Sequence, residues 1–89
     1  MESLLVINEK DNVAVALLDL RAGDTLKLPV GRELTTTKDI PYGHKVALVD
    51  IPEGESVIKY GETIGLATRD IVRGEWVHTH NMGAVEGES

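Results

Sequence analysis

A chain of 89 residues has room for one domain with a modest core. It has no Phe or Cys, one Trp and two Tyr, so Val, Ile, Leu and Ala must build the interior, and disulfide and thiolate chemistry are excluded. A formal net charge of −6, from 15 acidic against 9 basic side chains, repels phosphate backbones and anionic lipid, which argues against nucleic acid or a membrane as partner.

In chain order, the opening MESLLVINEKDN holds only a short apolar run, too brief for a signal peptide or a membrane span. A cytoplasmic location is therefore expected, in keeping with the absence of cysteine. Residues 12–20 are ambiguous: Val13 to Leu17 alternate as a strand would, yet Asp11 could cap a helix with Ala14, Leu17 and Leu18 on one face. Further period-two runs at 25–28, 45–49, 56–58 and 76–80 predict strands. Glycines at 31, 43, 54, 61, 65 and 74 fall too close together for helices and predict tight turns. The expected fold class is all-β, a single domain over residues 1–82, followed by a flexible tail or linker at 83–89.

One pattern occurs four times: Asp, apolar, two variable residues, Gly, two variable residues, apolar. The copies are DLRAGDTL from Asp19, DIPYGHKV from Asp39, DIPEGESV from Asp50 and DIVRGEWV from Asp70. Their spacing suggests pseudo-twofold character. Each reads as strand end, turn and strand start, with Gly supplying a positive φ and Asp bonding backbone N–H groups. The shared residues are thus structural.

The chemistry-bearing residues are those that depart from this pattern. His44 follows the repeat glycine where the other copies have Asp24, Glu55 and Glu75; a tolerant surface turn and a functional imidazole are both open readings. His78 and His80, two apart on an expected strand, would project from one face and could share a metal or an anionic ligand, although H-x-H without a third donor is weak evidence. Lys59 and Tyr60 precede Gly61, where a lysine could hold a carboxylate or simply flank a hairpin. Phosphate-loop, dinucleotide, G-x-S-x-G and H-E-x-x-H motifs are missing from the sequence.

The run DIPYGHKVALVDIPEGESVIKYGETIGLATRDIVRGEWVHTHN, residues 39–81, resembles the SAF (β-clip) domain of the altronate and galactarate dehydratase family. Its specific elements are G-H-K at 43–45, I-K-Y-G-E-x-I-G at 58–65 and G-E-W-V-H-x-H-N at 74–81. The resemblance implies a β-clip fold and a share in eliminating water from sugar acids, as the small subunit or N-terminal SAF domain of a lyase completed by a large subunit. It assigns His44, Lys59 and His80 as candidate catalytic groups, Lys45, Tyr60 and Asn81 as candidate substrate contacts, and His78 with His80 as candidate ligands of a divalent metal such as Fe2+. The expected partners are the large dehydratase subunit and a sugar-acid substrate, with a homo-oligomer as an open possibility of assembly. A sulfolactate sulfo-lyase small subunit and a non-catalytic binding or assembly module are the alternatives.

Overall fold

The structure, a computed structural model, describes residues 3–6, 8–28 and 31–84. The described chain is all β, without an α-helix: β1 (Leu4–Leu5), β2 (Val13–Ala16), β3 (Thr25–Lys27), β4 (Glu33–Thr35), β5 (Lys45–Ala47), β6 (Ser56–Lys59), β7 (Glu62–Ala67), β8 (Trp76–Val77) and β9 (Met82–Gly83). In the ambiguous segment at 12–20, Val13–Ala16 form a strand because its alternate residues have two cores to fill. A central antiparallel sheet runs β1-β2-β5-β8, with Val13 opposite Ala47 and Ala14 opposite Val46. Ala14, Ala16, Val46 and Leu48 face one apolar cluster with Leu20, Leu26, Leu34 and Ile40. Val13, Ala47 and Val77 face a second with Ile51, Val57, Ala67 and Ile71. Both faces of the sheet are covered, so β2 and β5 are apolar at nearly every position.

The four turns explain this arrangement. In each, the N–H after glycine bonds the carbonyl three residues back at 3.0 Å: Asp24 to Arg21, His44 to Pro41, Glu55 to Pro52 and Glu75 to Val72. The glycines take φ between +82° and +91°, as the third position of such turns requires. The aspartates work across copies. Asp19 accepts Tyr42 N–H while Asp39 accepts Ala22 N–H; Asp50 accepts Arg73 N–H while Asp70 accepts Glu53 N–H. Copy one is thereby locked to copy two and copy three to copy four, with backbone bridges Leu20 to Ile40 and Ile51 to Ile71 between them.

The chain is a tandem of two such units, offset by 31 residues: Asp19 and Asp39 correspond to Asp50 and Asp70. Each unit leaves the central sheet, makes one hairpin, β3-β4 or β6-β7, and returns as the next antiparallel strand. Equivalent bonds recur at the same offset, as Ala16 N–H to His44 C=O and Ala47 N–H to Glu75 C=O show. Gly83 belongs to β9, which pairs Met82 and Gly83 with Ala67 and Leu66; of the expected tail, residues 85–89 lie outside the described residues. Among the described residues, no helix is long and apolar enough to cross a membrane.

Candidate functional site

The C-terminal unit contributes Trp76, His78 and His80, and the N-terminal unit contributes His44. The β5-β8 pairing sets Val46 opposite Trp76 and Lys45 opposite Val77. Alternation along β5 then places His44 on the side of the sheet that carries Trp76 and Lys45 on the other. The Trp76 indole N–H donates to His44 Nδ1 at 3.2 Å. The His78 ring stacks nearly parallel to Trp76, at 5.5 Å between centroids, and lies 4.9 Å from the His44 ring. His80 meets Trp76 at 5.0 Å. Three imidazoles therefore gather round one indole.

The expected strand at 76–80 is shorter than its alternation suggests. β8 ends at Val77, and residues 78–81 form a turn closed by Asn81 N–H to His78 C=O. Asn81 is fully buried. Its Oδ1 accepts His78 N–H at 2.9 Å and its Nδ2 donates to Trp76 C=O at 2.8 Å. Asn81, expected as a substrate contact, is enclosed by the turn, and its amide bonds the backbone that carries Trp76 and His78. Asn81→Ala is expected to cost about 2–4 kcal/mol, since two part-buried backbone groups lose their partner. Chemical denaturation measures it, and a change below about 0.5 kcal/mol, the ordinary range for surface substitutions, would contradict this role.

Proline explains how His44 could replace an acid. Asp24 and Glu75 turn back on their own turns and accept the N–H of Arg21 and Val72. In the second copy that position is Pro41, which has no N–H to satisfy. The side chain after Gly43 is released from the turn and reaches Trp76.

Lys45 opens β5 and Lys59 ends β6. Burial, and secondarily the charge of Lys59, hold the half-buried Lys45 ammonium below the usual lysine value. Tyr60 and Gly61, with φ of +57° and +78°, make the two-residue turn between β6 and β7. Tyr60 is exposed, and Lys59 Nζ sits 5.1 Å from its ring centroid. Asp11 accepts Gly61 N–H and ties this hairpin to the segment before β2.

Partial desolvation, followed by the positive charge of His44, Lys45 and His80, lowers the His78 pKa from the ordinary 6.5. His78 is therefore a neutral acceptor near neutral pH. A histidine that binds protons less readily when folded contributes fully above the unfolded value of 6.5, and that contribution is lost as pH falls towards the folded value. An NMR titration of this chain should give His78 a midpoint below 6.5; a midpoint above it would contradict the described surroundings.

Among the described residues, no three His, Cys, Asp or Glu side chains converge to hold a metal ion. His44 Nδ1 is engaged by Trp76, and His78 and His80 both rest on its indole. The imidazoles here do not fit a metal by themselves. Trp76 was not among the expected site residues, although its being the sole tryptophan in a Phe-free chain is the signal that could have found it.

The imidazoles thus lie together where β5 pairs with β8, in a small β domain of two tandem units. The chain belongs to the altronate/galactarate dehydratase SAF domain family, whose model matches residues 2–84. It is 43% identical over 81 residues to an altronate dehydratase of Bacillus subtilis, covering 91% of this chain and 16% of that protein. A galactarate dehydratase (L-threo-forming) of Escherichia coli is 48% identical over 73 residues, 80% of this chain and 13% of that one. The chain thus spans about one-sixth or less of these dehydratases. A (2R)-sulfolactate sulfo-lyase subunit alpha of Paracoccus pantotrophus is 54% identical over 48 residues, 54% of this chain and 72% of that subunit.

Proposed function

We propose that this domain supplies cationic and imidazole groups to the active site of a sugar-acid dehydratase, completed by a much larger catalytic part. The observation that carries the reading is the gathering of His44, His78 and His80 round Trp76, with the Lys45 charge acting on His78, in a chain of net charge −6. A dehydration removes the proton α to a carboxylate and the hydroxyl on the neighbouring carbon, giving an enol that becomes a 2-keto-3-deoxy acid. Negative charge grows on the carboxylate oxygens as the proton leaves, and the departing hydroxyl needs a proton. Lys45 and Lys59 suit the first demand; His44 and His80 suit the second; His78 is a neutral base or ligand. Tyr60 stands at the rim as a substrate contact. A divalent metal such as Fe2+ belongs, on this reading, mainly to the larger part, and His78 and His80 would be the ligands this domain adds to it. A cytoplasmic setting goes with the same reading.

The chain alone should turn over neither galactarate nor D-altronate, because so small a core leaves no water-poor cleft for two acid–base groups and carboxylate anchors. Turnover should appear when the chain is paired with the larger catalytic part. Dehydration by the purified chain at rates of a complete enzyme would overturn the shared site. A second reading, a subunit of a sulfo-lyase, is favoured by the 72% coverage of the Paracoccus subunit. The same pairing assayed with (2R)-sulfolactate separates the two.

A further inference from the structure

We infer that Trp76 is a positioning residue whose indole N–H holds neutral His44 as its Nε2–H tautomer, so that His44 offers a hydrogen-bond donor to an oxygen of the bound acid. The second half rests on the shared-site reading; the first stands on geometry alone. An indole nitrogen only donates. The atom that receives it, His44 Nδ1 at 3.2 Å, must carry a lone pair, which leaves the proton of the neutral ring on Nε2.

Both ends of this bond are fixed independently of it. Trp76 packs on the first apolar cluster, and its carbonyl is held by Asn81 Nδ2. The His44 backbone is held through Pro41 C=O on one side and Ala16 N–H on the other. The counterpart of His44 in the second unit, Glu75, bends back to Val72 N–H, a contact that Pro41 denies to His44. The imidazole is thus both released from its turn and given one orientation, which is the preorganisation that a donor to carboxylate or hydroxyl oxygen requires.

Two-bond 1H–15N spectra of the labelled chain, taken in mildly alkaline solution where imidazoles are neutral, read the tautomer directly. The expected result is a protonated Nε2 and a bare Nδ1 at His44. Trp76→Phe keeps an aromatic ring beneath His78 but removes the donor, and should turn His44 into a mixture of tautomers. In the chain paired with its catalytic part, the same variant should lower kcat on galactarate or D-altronate about tenfold, the effect of one net hydrogen bond. His44→Gln, whose amide nitrogen can stand near the Nε2 position, should retain more activity than His44→Asn, whose amide stands near Nδ1. An Nδ1–H tautomer in the unsubstituted chain would overturn the inference, as would an unchanged tautomer in Trp76→Phe or an Asn variant at least as active as Gln. Should Trp76→Phe fail to fold, the unsubstituted spectrum and the Gln/Asn pair still decide. The spectrum gives its answer whether or not turnover is obtained, so failure of the shared site and failure of this inference register separately.

Discussion

Gly74→Ala is expected to leave most of the chain unfolded, whereas Gly43→Ala, the same position one unit earlier, should leave it folded and weakened by about 1–3 kcal/mol. The two glycines have nearly the same backbone, φ +90° and +82°, so the cost of forcing alanine into the left-handed region is common to both. Their surroundings differ. A Cβ at position 43 would meet nothing within 4 Å, but one at position 74 would stand 2.2 Å from Thr35 C=O, and backbone cannot swing aside as a side chain can. The fourth turn is pressed there against the end of β4. Thr37 N–H donates to Gly74 C=O at 2.9 Å, and the Arg73 guanidinium bonds the carbonyls of Leu48 and Glu33. Relieving the overlap would open this junction between the two units and add to the backbone strain. A total above about 4–5 kcal/mol is comparable with the whole stability of a domain this size, roughly 4–13 kcal/mol. Circular dichroism and denaturant titration of the two variants make the comparison; equal losses would show that the β4 junction does not bear on folding.

The repeat was legible because its demands are local. A glycine with positive φ, an aspartate four residues before it and an apolar residue on either side can be read without knowing what they pack against. The exchange of aspartates between copies could not be read, since Asp19 reaches Tyr42 and Asp50 reaches Arg73 across 23 residues. β7, the longest strand, shows weak alternation because Gly65 sits in its middle, where β9 crosses so closely that a Cβ would meet Gly83 C=O at 2.5 Å. In the site, period two at 76–80 predicted a strand with His78 and His80 on one face; the strand ends at Val77, and both rings meet Trp76. It could not reveal that Asn81 ends the strand, because that depends on a side chain bonding backward to His78 N–H and Trp76 C=O. His44 stood out by its departure from the repeat. What gives it an orientation, the Trp76 N–H, lies in the other unit and becomes visible only once β5 pairs with β8.

In a site shared with a larger catalytic part, as proposed, the imidazoles meet substrate. His78 is the most telling of them: it touches His44 and Trp76, and its pKa is lowered chiefly by partial desolvation. It projects from the turn that Asn81 holds, while the core residues of β8 lie elsewhere, so His78→Ala removes the ring without opening a cavity in either apolar cluster. The measurement is kcat/KM for galactarate or D-altronate by the chain paired with its larger catalytic part, with and without this substitution, alongside the affinity of the pair. The expected result is a loss of about 10²-fold or more, the scale of removing a proton-transfer group, with folding and pairing intact. Unchanged turnover by a correctly paired His78→Ala domain would contradict it and leave the domain an assembly module.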